Sequence, residues 1–233
     1  MARTRPADRL DQLVLAAAEV FTQRGYRRTQ MADVARAMGV SPGTLYLYVE
    51  SKEALFDLVL QRAFTADAEP PTLPVATPPA GQSLESLRRR AGREGAMPRL
   101  AEALARRRPP ADVRDELAGI ASELYRTLSR SRRAVKLLER SALDWPELAG
   151  VWVGEIRRAM IENLVRYLTR RMRQKRLRQV PNAAASARLV LETIAWFALH
   201  RHGDLAPPDI DEDVAEATVV DFIVAALAKG RKT

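Results

Sequence analysis

The stretch that decides the fold is GVSPGTLYLYVESKEAL, residues 39–55. Its glycine, serine and proline residues predict two helix boundaries close together. Gly39 can end one helix in the left-handed conformation. Ser41 can cap the next helix, and Pro42 suits its first turn, where no backbone N–H is needed. Ser51 then begins another helix. The stretch therefore predicts a very short helix between two abrupt ends.

The short helix, over 42–49, has an inner and an outer face. Leu45 and Val49 lie four residues apart and point inward. The outward positions are Thr44, Tyr46, Tyr48 and Lys52. With the helix predicted over 30–38, this spacing is that of a helix-turn-helix, whose second helix enters the major groove of DNA. The absence of a side chain at Gly43 lets the backbone approach the bases. The alternative is a plain helical hairpin with two half-buried tyrosines.

Helical spacing dominates the rest of the chain, so the predicted fold class is all-α: a helix-turn-helix head and a larger helical domain. The predicted helices are 8–24, 30–38, 42–49, 51–65, 83–106 with one interruption, 111–129, 131–143, 147–178, 182–202 and 210–229. The segment EPPTLPVATPPAG, 69–81, is too rich in proline for a helix interior. It is predicted to be an extended linker or a mobile loop. The predicted domains are 1–65, a linker over 66–82, and 83–233.

Composition narrows the classes of function. The chain has 233 residues, no cysteine, two histidines and a net charge of +9. We therefore expect no metal site and no cofactor. The charge favours an anionic partner such as double-stranded DNA, the alternative being a general arginine bias. Apolar runs are too short for a membrane span, and the N-terminus lacks the apolar core of a signal peptide, so a cytoplasmic protein is expected. The spacings of a catalytic triad, a metal pair or a phosphate-binding loop are absent, and we expect no enzyme.

The stretch TQMADVARAMGVSPGTLYLYVESKEALF, residues 29–56, resembles the DNA-binding segment of the TetR (tetracycline-repressor type) transcriptional regulators. The resemblance extends over about residues 8–64. It implies an all-helical, homodimeric protein that binds a near-palindromic operator. It also implies a repressor that a small-molecule ligand releases from DNA. The alternative is a constitutive DNA-binding protein with a closed core and no inducer.

Carried over residue by residue, the resemblance implies two kinds of DNA contact. Phosphate contacts fall to Thr29, Thr44, Tyr48 and Lys52, and base contacts to Pro42, Gly43 and Tyr46. Arg27 and Arg28 precede the second helix and can reach phosphate. Glu50 departs from the expected pattern, because an acid beside the DNA face weakens nonspecific contact.

The last two helices carry apolar residues on most of their circumference, which indicates burial on two sides. One side can face the chain's own core and the other a second subunit, as in the family's four-helix dimer interface. The predicted interface residues are Val190, Ile194, Phe197, Val219, Phe222 and Ala226. The alternative is a fully internal helix pair.

An apolar stripe on the long predicted helix is a candidate wall for an inducer pocket. Asn163 flanks the stripe as a polar contact, and two aromatic residues lie on neighbouring segments. The predicted ligand-binding residues are Tyr125, Trp145, Trp152, Ile156, Met160 and Asn163, and the ligand is expected to be apolar or weakly polar. The alternative is plain core packing.

Overall fold

The computed structural model describes residues 6–64, 69–94, 97–110, 112–206 and 209–229. No β-sheet occurs in these ranges, and the all-α prediction is confirmed. The α-helices are α1 (Pro6–Arg24), α2 (Met31–Met38), α3 (Pro42–Leu45), α4 (Lys52–Phe64), α5 (Gln82–Glu94), α6 (Pro98–Ala105), α7 (Val113–Arg130), α8 (Arg132–Ala142), α9 (Pro146–Ala149), α10 (Arg158–Arg173), α11 (Ala183–Ala198) and α12 (Glu212–Leu227). Within the described ranges, no helix combines the length and the apolar character that crossing a membrane requires.

The chain divides into two compact units. The first joins Met1–Glu94 to Arg133–Glu155, and the second joins Gly95–Arg132 to Ile156–Thr233. The first unit therefore holds the helices of the predicted head and the proline-rich segment together with α5, α9 and most of α8. The second unit holds α6, α7, α10, α11 and α12.

Helix α1 buries the apolar face that its spacing predicts. Leu10, Leu13 and Phe21 all lie in the core of the first unit. Gly25 ends the helix with a φ of 85°, and its N–H donates to the carbonyl of Phe21 at 2.8 Å. A Cβ atom at Gly25 would lie 2.6 Å from the carboxylate of Asp144. Both the backbone angle and the available space therefore require glycine here.

Four aromatic rings form the centre of the first unit. Tyr26 stacks on Trp145 with 4.4 Å between ring centroids, and Phe21 meets Phe56 edge-on at 5.2 Å. Such ring pairs add to the stabilisation from buried area. They attach the start of α9 to α1, which lies more than a hundred residues earlier in the sequence, and to α4.

The proline-rich segment 69–81, here called the strap, lies extended against the chain just after α3. Val75 forms an isolated parallel bridge with Val49. The N–H of Val75 donates to the carbonyl of Tyr48 at 2.8 Å, and the N–H of Glu50 donates to the carbonyl of Val75 at 3.0 Å. The strap is thus extended, one of the two predicted alternatives, and these bonds hold Val75 against the residues that follow α3.

Helix α3 is shorter than predicted, because it ends at Leu45 instead of 49. The carbonyl of Leu45 accepts hydrogen bonds from the N–H groups of both Tyr48 and Val49, at 2.9 and 3.1 Å. The next N–H, that of Glu50, turns to the strap. We call residues 42–50, which include α3 and these turns, the recognition segment.

The long helix predicted over 147–178 is interrupted. A π-helical stretch, Gly150–Arg157, separates α9 from α10, which ends at Arg173. A π-helix has wider turns than an α-helix, so steps of four residues do not keep a straight stripe through it. Trp152 and Met160, which the sequence places on one apolar stripe of a continuous helix, are therefore not aligned along a regular α-helix.

A buried ion pair joins three helices of the second unit. The guanidinium of Arg171 on α10 is fully buried and donates to both carboxylate oxygens of Glu116 on α7, at 2.7 and 2.9 Å. It also donates to the carbonyl of Ala103 on α6 at 2.9 Å and to the side chain of Gln174 at 2.9 Å. These bonds satisfy most of the guanidinium's donors, which burial of this charge requires.

Candidate DNA-binding surface

The turn between α2 and α3 has the predicted geometry. Gly39 adopts φ 65° and ψ 32°, in the left-handed region. Its N–H donates to the carbonyl of Arg36 at 3.1 Å, and the N–H of Val40 donates to that of Ala35 at 3.0 Å. These bonds satisfy carbonyls that the end of α2 leaves free. The chain then becomes extended at Ser41 and enters α3.

The recognition segment presents an inner and an outer face, as predicted. Leu45 and Val49 are 1% and 0% exposed. Tyr46 is 50% exposed, and Pro42 and Gly43 also lie at the surface. Thr44 and Tyr48 are half-buried, so each presents only part of its side chain. A tyrosine held outward by two buried neighbours suits contact with base edges or thymine methyl groups.

Thr29 does not have the outward position that the resemblance implies. Its side chain is buried, and its hydroxyl donates to the carbonyl of Gly25 at 2.7 Å. The N-cap of α2 is the next residue, Gln30, whose N–H donates to the carboxylate of Asp33 at 3.0 Å. The hydroxyl of Thr29 is thus engaged inside the unit and not directed at phosphate.

Lys52 is also engaged within the unit. Its ammonium donates to the carbonyls of Tyr26 and Thr29, both at 3.1 Å, and lies 4.5 Å from the centroid of the Tyr26 ring. These contacts tie the start of α4 to the α1–α2 connection. The prediction of an outward-facing Lys52 is wrong, because carbonyl groups and a ring face satisfy its charge.

Glu53 completes this cluster. The hydroxyl of Tyr26 donates to its carboxylate at 2.7 Å. This hydrogen bond is the main reason why the pKa of Glu53 lies below its ordinary value, since it favours the ionised form. Burial, followed by the same hydrogen bond, raises the pKa of Tyr26. Tyr26 therefore remains a neutral donor at any physiological pH.

The two predicted arginines differ in their surroundings. The backbone N–H of Arg27 donates to Asp144 at 3.3 Å, and its guanidinium lies 3.5 Å from the carboxylate of Glu147. Arg28 is exposed and forms no ion pair with any residue that the structure describes. An unpaired guanidinium beside the start of α2 is better suited than a paired one to bind a phosphate.

The six predicted ligand-binding residues are divided between the two units. Trp145 lies in the aromatic cluster of the first unit, on Tyr26. Trp152 belongs to the first unit as well, whereas Tyr125, Ile156, Met160 and Asn163 belong to the second. The amide oxygen of Asn163 already accepts a hydrogen bond from Arg166. The role of these six as ligand-binding residues stays a prediction.

A small cavity lies elsewhere in the second unit. Its volume is about 10 Å³, which is close to the space that one water molecule needs. The lining is almost entirely aliphatic, and it consists of Leu117, Ile120, Ala121, Leu124, Leu164, Tyr167, Leu168 and Val190. None of the six predicted residues contributes to it.

The predicted interface residues on α11 and α12 fall into two groups. Val190, Ile194 and Val219 are buried in the second unit, so a partner chain cannot reach them. Their assignment to an interface is wrong. Phe222 is 63% exposed, and Phe197 and Ala226 are partly exposed. Other large apolar side chains on these helices are exposed as well: Leu189, Trp196 and Val214. We call Leu189, Trp196, Val214 and Phe222 the apolar patch.

Two residues of the recognition segment have roles that the sequence analysis missed. Leu47 is 68% exposed between the two tyrosines, although leucine is usually buried. Leu47 directly follows Tyr46, which is predicted to face outward, and a helical projection of residues 42–49 could have indicated its exposure. Glu50 accepts a hydrogen bond from the backbone N–H of Thr77 in the strap at 2.8 Å. No local pattern identifies this contact, because its partner lies 27 residues further along.

Comparisons with known proteins agree on the first unit. Residues 13–59 match the family model described as bacterial regulatory proteins, tetR family. The HTH-type transcriptional repressor KstR2 of Mycolicibacterium smegmatis is 38% identical over 58 residues, covering 25% of this chain and 28% of that protein. The HTH-type transcriptional activator FasR of the same species is 46% identical over 55 residues, covering 24% of this chain and 25% of that protein. The chain thus spans about a quarter of the length of these relatives.

A solved structure extends the likeness to the whole fold. The ketosteroid transcriptional regulator KstR2 of Mycobacterium tuberculosis superposes with a TM-score of 0.54 at 15% identity. The superposition covers 99% of this chain and 98% of that one. At this identity the likeness concerns the fold alone, and it includes both units.

Proposed function

We propose that this chain is a member of the TetR family of bacterial regulatory proteins and acts as a sequence-specific DNA-binding transcriptional regulator. The observation that carries the proposal is the recognition segment. Two buried anchors, Leu45 and Val49, hold a short helix whose Pro42, Gly43 and Tyr46 are exposed. A helix held in this way after a tight turn suits entry into a major groove.

The proposed contacts follow from exposure and chemistry. Pro42, Gly43 and Tyr46 lie nearest the bases, with Leu47 as an additional apolar contact for thymine methyl groups. The phosphate contacts are the exposed part of Tyr48, the hydroxyl of Thr44, and Arg27 and Arg28. Thr29 and Lys52 are removed from this set, because the hydroxyl of Thr29 is buried and the ammonium of Lys52 turns inward to two backbone carbonyls.

A homodimer is the proposed active form. The apolar patch exposes large side chains on two adjacent helices, and exposed apolar surface of this kind marks an interaction site. A second copy of the same patch would cover it, as a two-fold dimer requires. A dimer would read two half-sites about one helical turn, or a multiple of it, apart.

The test is selection of the full-length protein on a library of random DNA duplexes, followed by fluorescence anisotropy on the enriched sequence. We expect a near-palindromic site, bound far more tightly than unrelated DNA, with an affinity that falls steeply as salt rises. Recovery of no enriched sequence at low salt would refute the proposal.

We propose repression as the direction of regulation and release by a small apolar or weakly polar effector. A reporter gene placed behind the selected site would test the direction, since a repressor lowers and an activator raises expression. The aliphatic cavity in the second unit supports the choice of effector chemistry. A drug-sized ligand needs about 300 Å³ or more, so binding would have to widen this cavity.

The small volume of the same cavity favours a second candidate, a constitutive DNA-binding protein without an inducer. Thermal melting in the presence of a library of apolar ligands separates the two. A ligand that raises the melting temperature and also lowers operator affinity supports the inducible regulator. If none of the ligands shifts the melting temperature, the constitutive protein is the better description.

A further inference from the structure

We propose that the strap is a positioning element for the recognition segment, held in place by backbone N–H groups of Val75 and Thr77 and by the carboxylate of Glu50. This inference rests on the proposed DNA-binding function. It assigns a role in sequence recognition to a segment that follows the family's DNA-binding motif and is not part of it.

Two backbone hydrogen bonds flank Val49, a buried anchor of the recognition segment. Val75 donates to the carbonyl of Tyr48 at 2.8 Å and accepts from the N–H of Glu50 at 3.0 Å. Tyr48 and Glu50 are the two neighbours of Val49, whose side chain is fully buried. The strap therefore fixes the backbone on both sides of the residue that attaches the recognition segment to the core.

Side chains extend this attachment to the start of α4. The carboxylate of Glu50 accepts from the N–H of Thr77 at 2.8 Å. The hydroxyl of Thr77 donates to that of Ser51 at 2.9 Å, and the hydroxyl of Ser51 accepts from the N–H of Ala54 at 3.1 Å. These contacts account for an acid beside a surface that should bind DNA, because Glu50 holds the strap.

The composition of the strap suits this task. Its prolines, Pro70, Pro71, Pro74, Pro78 and Pro79, restrict the backbone and so reduce the entropy lost when the strap is ordered. Prolines have no N–H to donate, and the two backbone N–H groups with which the strap contacts the recognition segment belong to Val75 and Thr77.

The far end of the strap is fixed as well. Helix α5 follows it directly, and Leu87 on this helix is fully buried. Arg88 binds both carboxylate oxygens of Glu155, each at 2.7 Å. A segment that is bonded at Val75 and Thr77 and is followed by a fixed helix can hold the recognition segment at a defined angle, which a freely moving linker cannot do.

Positioning and charge predict different effects, which gives the test a matched pair of variants. Glu50→Ala removes both the charge and the acceptor for Thr77. Glu50→Gln removes the charge but keeps a carbonyl oxygen that can accept the same hydrogen bond. A second pair separates the backbone bond from a general effect of proline. Val75→Pro removes the N–H donated to Tyr48, and Ala76→Pro removes an N–H that has no acceptor among the residues described.

The experiment measures two quantities in the full-length protein. The first is hydrogen exchange of the backbone amides of Val75, Thr77 and Glu50 without DNA. The second is the ratio of affinities for the selected operator and for unrelated DNA at one salt concentration. We expect Glu50→Ala and Val75→Pro to lower this ratio about tenfold, as loss of a bond to a charged or backbone group would do, with melting temperatures near that of the wild type. Glu50→Gln and Ala76→Pro should leave the ratio within about twofold of the wild-type value.

The outcomes are distinct. An unchanged ratio in Glu50→Ala and Val75→Pro overturns the positioning role, and equal ratios in Glu50→Ala and Glu50→Gln reduce Glu50 to an effect of charge. If Val75→Pro does not fold, the comparison of Glu50→Ala with Glu50→Gln still tests the positioning role. If the wild-type protein enriches no DNA sequence, the proposed function is refuted. The role of the strap in sequence recognition is then refuted as well, because it depends on that function. The exchange data then show separately whether the strap is docked, and unprotected amides at Val75, Thr77 and Glu50 would refute the docking itself.

Discussion

The recognition segment and the apolar patch are surfaces of different physical character. Two apolar anchors and a set of hydrogen bonds hold the recognition segment, and its exposed side combines a proline, a glycine, a tyrosine and a leucine. Helices α11 and α12 pack through apolar side chains and expose further large apolar side chains. The first surface suits a charged, hydrated partner, whereas the second suits a partner as apolar as itself. The proposed function therefore assigns DNA reading and self-association to surfaces that expose different kinds of side chain.

The largest expected effect follows from a charge in the apolar patch. Phe222→Glu should convert the dimer into monomers at micromolar concentration, because burying a carboxylate against a second copy is unfavourable. Operator affinity should fall about 10²–10⁴-fold as the link between two half-site contacts is lost. Analytical ultracentrifugation and anisotropy measure the two quantities.

Leu15→Glu is the control, since Leu15 is an exposed apolar residue outside the patch. Equal dissociation of both variants would contradict the assignment of the patch.

The buried side of the same helices should respond in the opposite way. Ile194→Ala should lower the free energy of unfolding by about 2–5 kcal/mol while the dimer persists, because it leaves a cavity inside the second unit. Chemical denaturation and sedimentation measure these quantities. Trp196→Ala is the matched variant on the exposed side, where we expect weaker self-association and a smaller loss of stability. If Ile194→Ala dissociated the dimer more than Trp196→Ala, the two faces would have to be exchanged.

The outer face of the recognition segment is tested by Tyr46. Tyr46→Ala should cost about 1–3 kcal/mol of operator binding and leave binding to unrelated DNA unchanged, because base contacts carry sequence information and phosphate contacts do not. Competition anisotropy with the operator and a scrambled duplex measures both. Tyr46→Phe serves as the control for the hydroxyl. A uniform loss on both duplexes would identify Tyr46 as a phosphate contact.

Arg28 and Lys52 separate a phosphate contact from an internal contact. Arg28→Ala should lower the slope of log affinity against log salt by about one. Lys52→Ala should instead reduce the stability of the first unit by about 1.5–3 kcal/mol, because it removes two hydrogen bonds from a charged donor. A salt series and thermal melting of both variants are the measurements. A lower salt slope for Lys52→Ala with unchanged stability would restore it to the DNA-binding set.

The smallest effect concerns acid stability. The pKa of Glu53 in the folded protein lies below its ordinary value of 4.5, so its stabilising contribution is present above pH 4.5 and is lost as the pH falls below it. Tyr26→Phe removes the hydrogen bond that lowers this pKa most. The melting temperature of the variant should therefore depend less on pH in this acidic range than that of the wild type. Melting curves between pH 3 and pH 7 give the comparison, and identical slopes would show that the bond does not affect Glu53.

The sequence predicts the recognition segment well because its residue types differ. Leu45 and Val49 are apolar and Tyr46 has a polar end, so helical spacing alone separates inside from outside. On α11 and α12 every candidate is apolar, and spacing cannot distinguish buried Ile194 from exposed Phe222. The assignment of faces fails there for lack of a polar marker.

Contacts between distant segments account for the other differences. The bond from Lys52 to the carbonyl of Tyr26 spans 26 residues, and the bond from Thr77 to Glu50 spans 27. Backbone groups supply one partner in each, and backbone groups carry no sequence signature. The π-helical stretch before α10 is a further difference. Trp152 and Met160 have the sequence spacing of an α-helix, but part of the segment between them is a π-helix.

Arg171 restricts which movements the second unit can make. Its guanidinium meets carboxylate, amide and carbonyl oxygens from several directions. If α10 slid by one helical turn, about 5.4 Å, against α6 and α7, the buried charge would lose Glu116 and the carbonyl of Ala103 and would keep only Gln174, which follows α10 in the chain. Such a slide is therefore costly, and Arg171 holds α6, α7 and α10 in register.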